Sequence, residues 1–437
     1  MPCPFYEHDI GKQKKGEYDL KRKKRTSLLA AVVAVCMIAA GCGGGGGAAG
    51  GGGQPAEQTG NAGSGGSAEA GAGGGQGAGG GKILIATQTP LSGPQSNVGE
   101  AIKLGAELAL MEQKEDFNKL GFDLQLFPQD DQGDPKQGVA NAEQLVSNPD
   151  VLAVVGHYNT GVAIPASVKY EQGNLVVVGP ANTGVQLTEE GKKTVHRICA
   201  RDDLEGPKGA LYAKNQLGVK SAFIIHDKTA YGQGVADEVK AQFEKDGVQI
   251  LGYEGITPGE KDYSSVINLV VSKNPDMIFF GGLYPEGGIL VKQAREKNFK
   301  GYFMGSAGLA SSELPKIAGA AAEGVVFSSV AGDVTQSDEG KKWAAKYKEK
   351  FGKEPESFSI YGYDAMLVVL HGLKEAIDKN GGKKPSREQV LEAVHHTTDF
   401  QGMFTKVSFD EKGDNKYASI FMYKFENGQQ VFIGKAE

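Results

Sequence analysis

Hydroxyl and amide side chains are concentrated in two short segments that could hold a small anionic solute. Each segment follows a run of β-branched residues and precedes a helical pattern. Unpaired N–H groups at a helix start, together with the positive end of the helix dipole, bind carboxylates. The hydroxyls could instead only cap their helices, but a matched pair on neighbouring strand ends favours ligand contact. The candidate contacts are Tyr158, Asn159, Thr160, Ala181, Asn182 and Thr183.

A second group of candidate contacts follows strands further along the chain. Tyr231 lies shortly after the apolar run that ends at Ile225, and Leu283 and Ala307 lie in the loops after the next two apolar runs. A single aromatic residue usually belongs to a core. Only the loop position of Tyr231 favours a contact with ligand.

Motifs for catalysis and for metal binding are missing from the sequence. It has no His-Glu-x-x-His, Gly-x-Ser-x-Gly or dinucleotide fingerprint. The histidines near strand ends have no adjacent nucleophile, so a structural role is expected for them. The acidic cluster 130–134 does not fit a calcium loop, and Asp134-Pro135 is typical of a helix N-cap followed by proline. We therefore expect no enzyme activity, no cofactor and no metal.

The elements that position these residues alternate between strand and helix over residues 82–437. This alternation predicts parallel sheets covered by helices on both faces. The predicted strands form a first set, 82–86, 122–127, 151–155, 175–178 and 195–198, and a second set, 222–225, 249–253, 277–280, 302–304 and 325–327. Helices are predicted over 339–351, 359–379 and 387–395, and strands over 406–409, 418–425 and 431–433.

The two sets of strands predict two doubly wound, Rossmann-like α/β lobes joined by hinge crossovers. A chain of 437 residues with 40% hydrophobic residues can fill two cores. The first predicted lobe comprises residues 82–200 and 330–403, and the second comprises residues 201–329 and 404–437. Ligands of open α/β sheets lie at the carboxyl ends of the strands, so the candidate contacts should face a cleft between the lobes.

The N-terminal 41 residues are typical of an export signal. A basic run, 21–25, precedes a 13-residue apolar run that ends in Ala39-Ala40-Gly41-Cys42. The apolar run is shorter than the roughly 20 residues that a membrane-spanning helix needs. A basic run can also bind nucleic acid, but the apolar run directly behind it favours export. The small residues before Cys42 resemble a bacterial lipobox, which makes Cys42 the expected site of lipidation.

Residues 42–81 form a predicted flexible linker, because their glycine-rich composition cannot bury enough apolar surface to order the chain. Its mean reach would be roughly 35 Å. Removal of residues 1–41, with eight Lys/Arg and four Asp/Glu, changes the formal net charge from −6 to −10. This charge argues against nucleic acid as a partner. Cys199 would then be unpaired, and its apolar neighbours predict a buried, inert thiol.

Several short motifs resemble those of the branched-chain amino-acid binding proteins, in the same order and over nearly all of residues 82–437. Any one of these motifs would be a weak signal, but their shared order is strong. The matching pieces are Leu91-Ser92-Gly93-Pro94, Asp130-Asp131, Asp134-Pro135-Lys136-Gln137, Gly156-His157, Gly179-Pro180-Ala181, His226-Asp227-Lys228, Tyr231-Gly232, Gly255-Ile256-Thr257, Gly259-Glu260-Lys261-Asp262 and Asp410-Glu411-Lys412-Gly413-Asp414. The resemblance is to the substrate-binding lipoproteins of ABC transporters with a type I periplasmic-binding-protein fold.

The resemblance implies roles for individual residues. Thr160, Ala181 and Thr183 would hold the ligand's carboxylate and part of its amino group, and Tyr231 would reach from the other lobe. Phe358 would line the side-chain pocket. The acidic residue with which the family pairs the ligand's ammonium aligns with Ala307 and is therefore missing. An aromatic residue that often closes the family's pocket aligns with Val98.

The expected function is that of an extracytoplasmic receptor that closes around a branched-chain or other aliphatic amino acid. The resemblance implies an ABC permease and its ATPases as partners, a lipid anchor in a bacterial membrane, and a monomer. Burying an unpaired ammonium costs several kcal/mol. Either Glu286 or Asp227 therefore replaces the acid missing at Ala307, or the ligand is a carboxylate or amide without an ammonium. A sensory receptor that is not coupled to transport is the second class of function, and an enzyme is the third.

The variant Cys42→Ala should lose lipid labelling, because Cys42 provides the thiol that the lipobox pattern predicts to be modified. Metabolic labelling with radioactive palmitate in a bacterial host measures this directly. The control variant Cys36→Ala, within the apolar run, should keep the label. A labelled Cys42→Ala protein would show that the predicted anchor is wrong.

Overall fold

The β-branched runs of the sequence form two sheets in the computed structural model, which describes residues 80–436. The predicted signal peptide, Cys42 and nearly all of the predicted linker lie outside these residues. Within residues 80–436, no helix is both long enough and apolar enough to cross a membrane.

The first sheet has five parallel strands in the order β2-β1-β3-β4-β5. All six residues of the central strand β3 are buried, as expected when helices cover both faces of a parallel sheet. The strands are β1 (Lys82–Thr89), β2 (Asp123–Asp130), β3 (Val151–Gly156), β4 (Val176–Gly179) and β5 (Val195–Arg197).

The second sheet has seven strands in the order β14-β13-β10-β9-β8-β6-β7, in which β13 runs antiparallel to β10 and β14 runs antiparallel to β13. Asn427 and Gly428 turn the chain between them with positive φ angles of 51° and 73°, as a tight hairpin requires. The strands are β6 (Ser221–His226), β7 (Gln249–Gly255), β8 (Met277–Gly281), β9 (Tyr302–Gly305), β10 (Val326–Ser329), β13 (Phe421–Glu426) and β14 (Gln429–Lys435), and β11 (Phe400–Gln401) and β12 (Lys406–Val407) form a separate pair.

Twelve α-helices and three short 3-10 segments connect the strands of the described residues. The helices are α1 (Ser96–Lys119), α2 (Pro135–Ser147), α3 (Thr160–Gln172), α4 (Gln186–Glu189), α5 (Asp202–Asn215), α6 (Ala230–Asp246), α7 (Ser264–Lys273), α8 (Tyr284–Glu296), α9 (Glu313–Ala318), α10 (Asp338–Phe351), α11 (Ser359–Lys379) and α12 (Arg387–His395). The 3-10 segments are Ala307–Leu309, Gly319–Ala322 and Val334–Gln336. The predicted strands and helices are thus present, most within a few residues of the predicted ends, and the α/β fold class is confirmed.

The chain passes between the two sheets three times. After β5 it enters α5, which packs on α6 beside the second sheet, and after β10 it returns to α11 and α12, which pack against the first sheet. The backbone N–H of Arg197 on β5 then bonds to the carbonyl of Gly413 at 2.9 Å, before β13 joins the second sheet. The loop around Gly413 therefore lies beside the first sheet, whereas the predicted lobe boundaries, which stay a prediction, assign it to the second lobe.

Helices α1 and α11 pack backbone to backbone through glycine. A Cβ atom on Gly105 would lie 1.9 Å from the carbonyl oxygen of Ser359, and one on Gly362 would lie 2.2 Å from the carbonyl oxygen of Ile102. Only the absence of a side chain permits this approach, which holds α11 against the first sheet.

The variant Gly105→Ala should therefore lower the free energy of unfolding by about 1–3 kcal/mol, since its methyl group overpacks a fixed helix contact. Urea unfolding followed by circular dichroism measures the change. The matched control is Gly234→Ala in α6, where the new Cβ would lie 3.7 Å from the nearest atom, a carboxylate oxygen of Asp202. Equal stability of the two variants would refute the close packing.

Candidate functional site

The loops at the carboxyl ends of strands from both sheets enclose a cavity of about 380 Å³. Eight of the ten predicted contacts line it: Tyr158, Asn159, Thr160, Ala181, Tyr231, Leu283, Ala307 and Phe358. The other two, Asn182 and Thr183, are 3% and 1% exposed and lie outside the cavity lining.

The start of α3 forms the polar end of the cavity. Asn159 is the N-cap residue, but its side chain makes no capping bond. The N–H groups of Thr160 and Gly161 have no hydrogen-bond partner among residues 80–436. The hydroxyl of Thr160 does not cap the helix and instead accepts a bond from the N–H of Gly184 at 3.1 Å. These free donors at a helix N-terminus suit a carboxylate.

The second loop differs from its sequence prediction. The helix that follows it, α4, has only four residues, and its N-cap is Val185 rather than Thr183. A single turn supplies little dipole, so no helix-based anion site exists there. The amide oxygen of Asn182 has no hydrogen-bond partner in the described part of the chain, and the hydroxyl of Thr183 has none besides the Asp202 carboxylate. Capping therefore does not explain Thr183.

Tyr231 faces the cavity and also braces its wall. Its hydroxyl group hydrogen-bonds the Ser306 hydroxyl at 2.8 Å and accepts a bond from the N–H of Gly308 at 2.8 Å. The ring is 9% exposed and lines the cavity. Tyr231 therefore belongs both to the hydrophobic core and to the cavity wall, and its contact with a ligand stays a prediction.

The remaining wall is largely apolar. Phe358 meets Tyr158 edge to face with 5.9 Å between ring centroids, and Leu283 and Ala307 complete this surface. Val98 is 1% exposed and belongs to the hydrophobic core instead. A wall of this kind fits an aliphatic group.

Sequence reasoning missed Gln95 as part of the site. Its side-chain oxygen accepts a bond from the Asn159 amide at 2.7 Å, and the residue lines the cavity. Its place just after Leu91-Ser92-Gly93-Pro94 was the available signal. Pro258, Thr229 and Ala230 also line the cavity, and nothing in their residue types indicated a role.

Two carboxylates line the cavity, and no Lys, Arg or His of the described residues does so. Burial raises the pKa of Asp227 to about 6, although its Oδ1 accepts bonds from the Thr229 N–H and hydroxyl. Glu286 accepts a bond from the N–H of Gly259 at 3.0 Å. The cavity is therefore negatively polarised at the side of the second sheet.

Two further buried carboxylates lie on the first turn of α5. Glu205 Oε1 accepts bonds from the N–H of Ala307 at 2.7 Å and from the Ser328 hydroxyl at 2.9 Å. Burial raises the pKa of Glu205 to about 8 and that of Asp202 to about 7. Neither residue was selected from the sequence, because its burial depends on the packing of α5 against α6.

The structural roles expected for other residues are confirmed. His157 lies between Asp131 and Tyr170, His196 contacts His395 at 3.0 Å, and His226 accepts a bond from the N–H of Lys228. Asp134 caps α2 through the N–H groups of Lys136 and Gln137, with Pro135 as the first helical residue. Cys199 is a buried free thiol whose pKa burial raises to about 12. No cluster of metal ligands occurs within residues 80–436.

Comparison with known proteins identifies the family to which this chain belongs. A family model described as periplasmic binding protein matches residues 82–430. The chain belongs to this family. The resemblance found in the sequence motifs is thereby confirmed, and the family places the protein outside the cytoplasm.

Individual relatives of this periplasmic binding protein cover almost the same residues. The Leu/Ile/Val-binding protein homolog 1 of Brucella suis is 33% identical over 346 residues, which are 79% of this chain and 91% of the relative. An amino acid binding protein of Pseudomonas aeruginosa is 33% identical over 79% of this chain and 90% of its own.

Solved structures share this fold over about four fifths of the chain. The leucine binding protein LivK of Thermotoga maritima has a TM-score of 0.75 and 28% identity, covering 81% of this chain and 99% of that one. LivJ of Streptococcus pneumoniae, in complex with isoleucine, has a TM-score of 0.72 and 22% identity over 81% and 99% of the two chains. At that identity the second comparison shows the fold alone.

The buried carboxyl of Glu205 should make stability depend on pH. Between its unfolded pKa, about 4.3, and its folded pKa of about 8, the folded protein binds more protons than the unfolded chain. Stability from this group therefore falls as pH rises through that window. The free energy of unfolding of ligand-free wild type should therefore fall between pH 5.5 and pH 8.5 more than that of Glu205→Gln does. Urea unfolding at the two pH values measures both changes.

The control for this comparison is Glu296→Gln, an exposed glutamate of α8 with no side-chain hydrogen bond or ion pair within the described residues, which should follow the wild-type pH profile. A Glu205→Gln variant whose stability parallels that of the wild type at both pH values would contradict the burial of an uncompensated acid.

Proposed function

We propose that this periplasmic binding protein captures a branched-chain or other aliphatic α-amino acid between its two lobes and delivers it to an ABC importer. The observation that carries the proposal is the composition of one cavity. Free N–H donors at the start of α3 lie at one side, carboxylates lie at another, and an apolar wall connects them. A zwitterion with an aliphatic side chain complements all three surfaces.

The carboxylate of this ligand would bind at Thr160 and Gly161. Their unpaired N–H groups and the helix dipole favour an anion, and the Thr160 hydroxyl can still donate a bond while accepting one from Gly184. No basic side chain lines the cavity among residues 80–436. Backbone donors would thus hold the carboxylate, as in other sites at helix N-termini.

A positive group on the ligand is favoured by the negative lining. Asp227 and Glu286 face the cavity without a cation to neutralise them. A ligand with a carboxylate alone would add a third negative charge to a largely buried site, which carries a desolvation and repulsion cost. This charge balance supports an amino acid over the alternative ligand that lacks an ammonium.

Binding would close the lobes by a hinge motion. A ligand shifts a conformational equilibrium only by its differential affinity for the two states, so contacts must come from both lobes. Thr160 and Ala181 follow strands of the first sheet, whereas Tyr231 and Leu283 follow strands of the second. The three chain segments between the sheets would bend during closure.

Delivery to a permease and lipid anchoring complete the proposed function. The similarity to a Leu/Ile/Val-binding protein homolog and to an amino acid binding protein supports binding of such ligands rather than enzymatic turnover. Lipidated Cys42 and the glycine-rich residues 43–81 would hold the body near a membrane. We propose transport rather than sensing, with permease and ATPase subunits as partners.

Isothermal titration calorimetry with leucine, isoleucine, valine and 4-methylpentanoate tests the ligand class. The purified protein should bind at least one of the three amino acids, and more tightly than it binds 4-methylpentanoate, which lacks the ammonium. Alanine serves as the control for the apolar wall and should bind more weakly. Binding of 4-methylpentanoate without binding of any amino acid would replace the proposed ligand by a plain carboxylate.

A further inference from the structure

Position 307 contributes only a methyl group to the cavity, yet a carboxylate lies directly behind it. Ala307 lines the cavity, and its N–H donates to Glu205 Oε1 at 2.7 Å. Glu205 comes from a different element, the first turn of α5. An acidic side chain is therefore present beside residue 307 although residue 307 does not carry it.

The two buried acidic side chains of α5, Asp202 and Glu205, lie in a region where they lack a full set of hydrogen-bond donors. Glu205 is 0% exposed and Asp202 is 1% exposed. Glu205 Oε2 has no hydrogen-bond partner within the described residues. The Asp202 carboxylate and the Thr183 hydroxyl have no partner but each other, and the hydroxyl acts to lower the pKa of Asp202. Buried polar atoms are nearly always paired, so the unpaired oxygen of Glu205 indicates that a donor is missing.

The three residues are brought together by the fold. Asp202 and Glu205 lie three positions apart on α5 and so share one helical face. The N–H of Asp202 donates to the carbonyl of Thr183 at 3.0 Å, and the N–H of Gly184, next to Thr183, donates to the Thr160 hydroxyl. These bonds place the first turn of α5 next to the segment that contacts the proposed carboxylate site. Asp202 and Glu205 stand behind the cavity lining rather than in it, and the ammonium on the adjacent carbon of an α-amino acid must lie near that carboxylate site.

The two carboxylates that line the cavity are placed differently. Asp227 Oδ1 accepts two bonds from Thr229, and Glu286 accepts one from Gly259. Neither hydrogen-bonds residue 307. Their oxygens are satisfied by their own loops or face the open cavity, and none of them is a buried unpaired atom.

We propose that Glu205, assisted by Asp202, provides the negative charge that pairs with the ligand's ammonium, in place of the acidic residue missing at position 307. This inference rests on the proposed function, since it requires an amino-acid ligand. The ammonium supplies the donor that Glu205 Oε2 lacks. Glu205 thereby becomes a determinant of specificity for ligands that carry an α-ammonium.

The carboxyl groups of Glu205 and Asp202 should release a proton when the ligand's ammonium binds. With a pKa of about 8, the Glu205 carboxyl is mostly protonated at pH 7 in the ligand-free protein, and a cation beside it favours the ionised form. The neighbouring ionisable groups are Tyr231 beside Glu205, and Arg197, Cys199, Asp203 and Glu238 around Asp202. Leucine binding in buffers of different ionisation enthalpy should therefore show proton release that is smaller in Glu205→Gln.

The deciding experiment measures the affinities of wild type, Glu205→Gln and Glu296→Gln for leucine and for 4-methylpentanoate by calorimetry. Loss of a charge-assisted bond should weaken leucine binding to Glu205→Gln about tenfold to a hundredfold. Its affinity for 4-methylpentanoate should stay equal or improve. The exposed control Glu296→Gln, the same substitution at a site on α8, should match the wild type for both ligands.

A second variant distinguishes loss of the Glu205 charge from a change in the structure around it. Glu205→Gln combined with Ala307→Glu moves the carboxylate to position 307 and should restore leucine binding to within a few fold of wild type. Unchanged leucine affinity in Glu205→Gln, or equal losses for both ligands, would refute the role of Glu205 while leaving the proposed function intact. A wild-type protein that binds no amino acid at all would refute the proposed function and this inference with it.

Discussion

The parallel arrangement of the strands determines where a ligand can bind to this protein. Each strand of a parallel sheet must return through a crossover, so the loops that leave the carboxyl ends gather along one edge, and ligands bind there. Both sheets bring such an edge to the same cavity, with Thr160 and Ala181 on one side and Tyr231 and Leu283 on the other. The glycine contact between α1 and α11 and the three passages of the chain between the sheets preserve this arrangement.

Charge is the second constraint on the cavity. Asp227 and Glu286 line it, and Asp202 and Glu205 lie buried nearby, while residues 80–436 provide it with no basic lining side chain. Isolated buried carboxylates are costly, and the raised pKa values of Asp202, Glu205 and Asp227 express that cost. A ligand that brings its own positive group relieves it. Binding of such a ligand would then also neutralise the buried carboxylates.

In the proposed arrangement a binding role passes from one position to another. The side chain of residue 307 is a methyl group and cannot hydrogen-bond a ligand atom, but the backbone N–H of this residue donates to a glutamate from α5. The chemistry needed at a site is set by the charge in a small volume, and several elements border that volume. A substitution that removes an acid from one loop is therefore not sufficient evidence that the site lacks one.

Local patterns were enough to predict most of the strands, the three helices α10, α11 and α12, and eight lining residues. β-Branched runs and helical periodicity depend on neighbours in sequence, and the position after a strand brought Thr160, Ala181, Tyr231 and Leu283 to the right edge. The single turn of α4 was not foreseen, because the length of a helix after its start depends on what it packs against.

The sequence by itself determined the α/β fold, the cleft-facing loops and, through the order of its motifs, the family. Tertiary structure alone decided that Asn182 and Thr183 lie outside the lining, that Val98 is core while Gln95 lines the cavity, and that Glu205 stands behind Ala307. The physical reason is distance along the chain. Glu205 and Ala307 are separated by 102 positions, and burial of a carboxylate depends on the packing of α5, α6 and β10, which no local pattern specifies.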